Sequence, residues 1–443
     1  MTVNPGRQMH LESVRGLAAL VVVFNHLVLA FYPQMHNWMD RPEVAAAVPV
    51  PLRPLAAPPL NVTHNGAFAV AVFFVLSGFV LSYSFFRADA AEKRSASLAS
   101  AAVRRYFRLV IPILASVLLA YALLRAGALY HRQLASYLHG QPGWVPSEDD
   151  WWVGGQWNFE PRIGSALREG LFGVFFSFDP ARTYSAVLWT MGIELAGSFF
   201  VYSFLALFGG LRNRWVVYLV IGGSLAALAN FHMLAFLAGM ALSDAGAAWE
   251  RRQAGAARLA RWQPVLAYGG LALCVAGLCA GAMWWDGSLP VHVPARPAAL
   301  AGATMLIAGS ALSPVVRRLL NRRPFVFLGK VSFSMYLLHL LVLFSVAAWQ
   351  YLWMRQSGWS HAAAAAAASV TCVAATLVVS WVAYRLVDLP AIALGRYVYE
   401  RIFSPARPPD AALAHAVARL LRVAPAPRIP RPQTGSPPRP RQA

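Results

Sequence analysis

Long apolar runs broken at intervals by basic clusters and turn residues set the pattern of this chain. The hydrocarbon core of a bilayer is about 30 Å thick and a helix rises about 1.5 Å per residue, so a span needs roughly 20 apolar residues. Ten stretches meet or approach that length, near 16–33, 65–86, 108–129, 184–209, 215–230, 231–247, 265–285, 298–316, 329–353 and 362–386. The fifth and sixth are short and only the step Asn230-Phe231-His232 divides them. The stretch 166–178 is apolar but too short to cross, so it is read as interfacial or re-entrant. The expected fold is all-α: a polytopic membrane protein of about ten transmembrane helices.

Composition agrees with that reading. Hydrophobic residues make up 58% of the chain and charged residues 13%, about half the quarter that soluble domains carry. The net charge of +20 would suggest nucleic acid in a soluble protein. Here no separate basic domain with interleaved aromatics exists to carry that function, and no nucleic-acid partner is expected. The cations instead gather in alternate connections: Arg87, Lys93, Arg94, Arg104, Arg105 and Arg108; Arg212 and Arg214; Arg251, Arg252, Arg258 and Arg261; Arg317, Arg318, Arg322, Arg323 and Lys330. Cytoplasmic loops collect Lys and Arg, so both termini are expected in the cytoplasm. The opposite connections are sparser, although 130–183 holds Arg132, Arg162, Arg168 and Arg182.

Residues 1–400 read as one transmembrane domain and 401–443 as a basic, Pro/Arg-rich cytoplasmic tail, largely disordered apart from a helix-compatible stretch at 410–422. The first apolar run starts only after Arg15 and no small-residue cleavage site follows it, so the first helix is expected to be retained. Cys274, Cys279 and Cys372 lie in apolar segments without metal-ligand spacing and read as small core residues. No Walker loop, dinucleotide fingerprint, His-Glu-x-x-His or Gly-x-Ser-x-Gly appears, and no metal is expected.

Ionisable groups inside spans are costly and are therefore functional candidates. Arg15 and His26 stand eleven residues apart, within about 20° of one helix face and ~16 Å along the axis. Arg15 also reads as a topology anchor, and His26 also reads as a hydrogen-bonded bundle histidine. Ser77 and Gly78 interrupt an apolar run at a depth close to that of His26, where small residues also serve close helix packing. Arg105 and Arg108 share a helix face, and their guanidinium forks suit phosphate as well as plain topology signalling. Glu194, counted from the outer end of its span, falls in the outer half of the bilayer and needs a partner, which a structural ion pair would also supply. Tyr336 and His339 lie three apart, with His339 again near the level of His26. Trp144, Trp151, Trp152 and Trp157 in the outer connections read first as an interfacial belt, and otherwise as sugar-stacking platforms.

At these residues the chain resembles the membrane acyltransferase-3 family of O-acyltransferases. Leu11-Glu12-Ser13-Val14-Arg15 with His26 looks like its Arg-x10-His signature. Phe73 to Phe79 looks like the second block, and Arg105-Tyr106-Phe107-Arg108 resembles the third. Trp189 to Glu194 is similar to the Trp-x4-Glu block and Tyr336 to His339 to the late Tyr-x-x-His block, while Asp388-Leu389-Pro390 looks like the closing acidic-x-Pro. Glu12-Ser13 replaces the commoner Asp-Gly, Leu195-Ala196 follows Glu194 where an aromatic pair is usual, and Asp388 stands for the usual Glu.

The resemblance implies a bacterial inner-membrane O-acetyltransferase that uses acetyl-CoA, or another short acyl-CoA, and a saccharide or glycolipid acceptor. In that picture Arg15, Arg105 and Arg108 seat the donor's phosphates. His26 is the general base or a transient acyl carrier, and Glu194 orients the acceptor or tunes His26. Ser77, Gly78, Trp189, Tyr336 and His339 support the site. A reading from another class is a proton-coupled transporter or flippase of lipid-linked sugars, since intramembrane His and Glu suit proton relays.

Overall fold

A computed structural model describes residues 8–35, 48–88, 91–139, 150–253, 263–282 and 295–403. The expected tail helix, the disordered tail from 404 on, Arg258, Arg261 and Trp144 lie outside these residues. Among the described residues every regular element is a helix. The apolar runs become α1 (Met9–Phe31), α2 (Gly66–Arg87), α3 (Ala91–Arg125), α6 (Trp189–Phe208), α7 (Arg214–Ala227), α8 (Phe231–Gln253), α9 (Gln263–Ala282), α10 (Ala295–Leu312), α12 (Arg323–Val342) and α14 (His361–Ala383). Shorter helices complete the bundle: α4 (His131–His139), α5 (Asp150–Gly154), α11 (Pro314–Leu320), α13 (Ala348–Gln356) and α15 (Leu389–Phe403).

Among the described residues eight helices are long and apolar enough to cross a membrane, and a ninth counts if α10 and α11, bent by 94°, form one broken span. The fourteen-residue α7 falls short of that test. Direction nonetheless requires a crossing there. The ring pair Trp189–His232 and the close approach of Gly197 to Phe236 make α6 and α8 run the same way, so the chain must return between them. α7 is that return, antiparallel to α8 through Arg214–Asp244 (2.5 Å) and the Gly222–Leu237 contact. At about 1.5 Å per residue it spans only ~21 Å. That is why its length looked marginal while its position in the order did not.

Close backbone contacts fix the interior. α1 and α12 run parallel, and a Cβ on Gly16 would stand 2.5 Å from the Gly329 nitrogen. α2 packs on α8 so tightly that a Cβ on Gly78 would lie 2.0 Å from the Phe236 carbonyl oxygen. Gly78 therefore serves helix packing, the plainer of its two readings. Cys274 and Cys372 are buried, whereas Cys279 is exposed on α9 and is no core residue.

The basic connections converge on one end of the bundle. There Arg87 pairs with Glu250 at 2.6 Å, Arg251 donates to the Phe86 carbonyl at 2.8 Å, and Arg214 holds the fully buried Asp244. At the other end α4 and α5 form a cap. His131 lies buried there, its ring 5.1 Å from Trp157. Burial, reinforced by Arg132, holds its imidazole down at about 4.

A histidine kept neutral by folding contributes stability that is complete above its ordinary pKa and is lost as pH falls toward the folded value. The thermal midpoint of the detergent-solubilised protein should therefore drop between about pH 7 and about pH 5, and His131→Phe, which cannot protonate, should flatten that drop. Thermal unfolding of both proteins across this pH range is the check.

Candidate active site

Two cavities lie end to end inside the bundle. The first, about 310 Å³, takes Glu12 and Arg15 from the early turns of α1, Ser77 and Tyr83 from α2, Arg105 and Arg108 from α3, and Glu194 from α6. The second, about 670 Å³, takes Asn25 and His26 from the later turns of α1, the first turns of α2, Trp152 and Trp157 of the cap, His232 of α8 and Arg296 of α10. The first faces the end where the basic connections gather, and the second faces the cap.

Glycine brings the catalytic candidates together. From the Gly16–Gly329 contact, ten further residues along each of two parallel helices lead to His26 and His339, about 15 Å on. Their rings meet there, His26 Nδ1 standing 2.8 Å from His339 Nε2. The other ring nitrogen of His339, Nδ1, lies 3.1 Å from the Met335 carbonyl oxygen and 2.8 Å from that of Tyr336. Carbonyls only accept, so His339 Nδ1 carries its proton and Nε2 is an acceptor. His26 Nδ1 must then donate, which leaves the lone pair of His26 on Nε2. Trp152 stacks on the His26 ring at 5.1 Å with 14° between planes, and Phe344 backs Trp152 at 5.5 Å.

The cationic chamber has its own logic. Arg105 pairs with the Glu194 carboxylate and donates to Ser198 Oγ at 2.7 Å. Ser77 donates to the same Glu194 oxygen at 2.5 Å. Arg15 reaches Ser332 Oγ at 3.0 Å and the Gly329 carbonyl at 3.3 Å. Arg108 makes no hydrogen bond or ion pair among the described residues and opens onto the cavity. It is the cation best placed to meet an incoming anion.

Several expectations change here. Glu194, counted ten or so residues into its span, does not share a chamber with His26. It lies level with Ser77, beside the arginines, because α6 begins only at Trp189 and the preceding segment dips into the bundle, where Thr183 and Val187 line the second cavity. Ser77 belongs to that same pair and not to the histidine level. Trp189 is exposed and edges His232 at 5.9 Å. Trp152 and Trp157 are buried against His26 and Phe344 rather than forming a belt. Asp388 is buried on the turn after α14, accepting from Ser334 at 2.8 Å.

Sequence reasoning missed Asn25, His232 and Arg296. Asn25 Oδ1 accepts from the Gly66 backbone at 3.3 Å, and His232 edges Phe74 at 5.5 Å. The polar step at Asn230-Phe231-His232 was the available signal, and it read only as a break between spans.

A family model described as an acyltransferase domain matches residues 10–385. The chain belongs to the acyltransferase-3 family. Among curated proteins, the O-acetyltransferase PaAT-1 of Phomopsis amygdali is 24% identical over 225 residues, 46% of this chain and 41% of that protein. The acyltransferase-3 chain thus spans less than half the length of this relative. No solved structure matches.

Removing one partner of a buried ion pair strands the other, at a cost of about 3–5 kcal/mol. Arg105→Leu in this acyltransferase-3 chain should lower stability by that order, and adding Glu194→Leu should restore much of it. Thermal midpoints of the two variants in one detergent test this; equal midpoints would mean the pair carries no mutual compensation.

Proposed function

We propose that this protein moves a short acyl group, acetyl in the simplest case, from a cytoplasmic acyl-CoA to a hydroxyl of a saccharide or glycolipid at the opposite face of a bacterial inner membrane. The observation that carries the reading is the His26–His339 pair, whose hydrogen bonds leave a basic nitrogen at the wall of the larger cavity. Two backbone carbonyls fix one ring, that ring fixes the other, and no rotation is needed to present His26 Nε2.

The donor enters at the cationic end. A chamber of about 310 Å³ is at the small end of ligand pockets, so it suits the slender pantetheine arm while the nucleotide stays at the mouth. Arg108 meets phosphate there with a guanidinium fork. Arg15 and Arg105 add positive charge, but their hydrogen bonds to Ser332 and Ser198 also make them part of the wall. The acceptor takes the larger cavity, where Asn25, His232 and Arg296 offer polar contacts and Trp152 an aromatic wall.

In direct transfer, His26 Nε2 takes the proton of the acceptor hydroxyl as its oxygen attacks the thioester carbonyl. The C–S bond then breaks, and the departing thiolate takes the proton from His26. The positive charge that forms on His26 is shared through Nδ1 with His339. An acyl-histidine route uses the same nitrogen as nucleophile. Glu194 has no direct part in either route: it sets Arg105 and Ser77. Nothing in the site favours the transporter reading over this one.

His26→Ala should leave the protein inserted and lower acyl transfer by about 10²–10⁴. The assay is labelled acetyl-CoA with membranes from cells that carry the acceptor, read by mass spectrometry of surface glycans. Wild-type levels of acylated product from that variant would remove His26 from the chemistry. His339→Leu should lower kcat with little change in KM and shift the pH–rate profile, because it removes the acceptor for His26 Nδ1.

Arg108→Ala should do the reverse, raising the acetyl-CoA KM with kcat nearly kept. An unchanged KM would show that phosphate is held elsewhere.

A further inference from the structure

The two cavities face opposite ends of the bundle, yet Val70, Phe74 and Tyr336 line both. These three side chains are the wall the chambers share. Charged groups line one chamber, and Arg296 with Asn25, His26 and His232 line the other, so each is a place for water. A membrane protein with two wet chambers end to end needs a tight partition if it is not to short-circuit the gradient across the bilayer. The same three side chains stand between a donor arm seated among the arginines and the chamber of His26.

Tyr336 is built differently from the other two residues of the wall. Its ring is buried and packs edge-on to Phe73 at 5.7 Å. Its hydroxyl donates to the Val187 carbonyl at 2.9 Å and stands 2.8 Å from Thr190 Oγ1. Both anchors belong to the turn that opens α6, on the far side of the passage from α12. The ring therefore bridges the gap and is tied at its tip. Its backbone carbonyl meanwhile accepts from His339 Nδ1, so the hydrogen bond that fixes the histidine pair does not depend on where the side chain stands, although the ring also packs on His339 at 6.2 Å.

We propose that Tyr336 is the latch of a partition between the two chambers: tied to Val187 and Thr190 it closes the passage to water and protons, and released it admits the thioester arm, which then fills the space the ring leaves. The arm's passage rests on the acyl-transfer reading; the seal rests on the geometry alone. Each part of the tyrosine has its own task. The ring supplies the bulk, and the hydroxyl supplies two hydrogen bonds that must break before the ring moves and reform afterwards. Phenylalanine would keep the plug and lose the tie. Alanine would lose both.

The test uses the purified full chain in sealed phosphatidylcholine–phosphatidylglycerol vesicles that enclose a pH-sensitive dye. Under an imposed pH gradient, Tyr336→Ala should admit protons several-fold faster than wild type, with Tyr336→Phe between the two. Tyr351→Ala is the control, because Tyr351 is fully buried but lines neither chamber. It should stay as tight as wild type.

In detergent, Tyr336→Ala should also raise acetyl-CoA cleavage in the absence of acceptor. There water attacks the thioester carbonyl, the C–S bond breaks, and one proton of the water goes to the thiolate and the other to solvent, leaving acetate and CoA. Tyr336→Ala vesicles as tight as wild type would overturn the latch, and so would equal leakage from Tyr351→Ala. A leak in Tyr336→Ala with no cleavage of acetyl-CoA by any form of the protein would support the seal and count instead against acyl transfer.

Discussion

The histidine pair of this bundle depends on two parallel helices touching backbone to backbone. Gly16 against Gly329 removes the side chains that would hold α1 and α12 apart. Lipid offers no hydrophobic force to push helices together, so close approach and the dispersion contacts it allows must do so. Once that contact is set, the helical rise carries the same offset to His26 and His339. A larger residue at either glycine would separate the imidazoles without altering them. The same contact places Arg15 on Ser332 and Gly329, so one packing event positions a residue of each chamber.

Charge inside the bilayer imposes the second constraint. A guanidinium or carboxylate there is tolerated only with a partner or beside water. Arg105 and Glu194 satisfy each other, with Ser77 and Ser198 taking remaining valences. Asp244 is completed by Arg214. Arg108 is the exception, facing the cavity with no ion pair or hydrogen bond among the described residues. Buried pairs of this kind add little net stability, so the cost of the cluster is better understood as the cost of keeping a positive cavity inside an apolar bundle. The unpaired arginine is where that positive potential is left available.

Most of the fold was legible because a span announces itself. Apolar length gives the crossings, and alternation of basic connections gives their order. Even the short α7 followed from order where length was ambiguous. The residues of the site were legible for the same reason, since a polar group in hydrocarbon stands out. Their partnerships were less so. Counting along a helix gives depth only to within a few residues, and Ser77, counted to the level of His26 and His339, lies instead among the arginines of the first chamber. Depth itself fails when a span starts late: Glu194 was counted from 184, while the helix begins at Trp189, below an irregular segment shielded by protein, the one place where such backbone is tolerated at depth. Trp152 read first as part of a belt, because a tryptophan in a connection has the same composition whether it floats at the interface or stacks on a buried ring.

That stacking bears on how the site treats its acceptor. His26 is held on two sides, by His339 through Nδ1 and by Trp152 across its face. Trp152 rests on Phe344, which also meets Trp157, and Trp157 donates its indole N–H to the Tyr184 carbonyl at 2.8 Å. This chain of rings runs from the base to the capping helices, which lie at the end where an acceptor would arrive. An acceptor that moved the cap would therefore act on the face of His26 and not on its hydrogen bond. The lone pair on Nε2 is set by the backbone carbonyls behind His339, so the tautomer follows from the fold of α12. Orientation of the ring plane is the one property of the base left open to the acceptor side. Discrimination between acceptors in such a site would arise from geometry, through how well the cap closes on each, and not from any change in basicity.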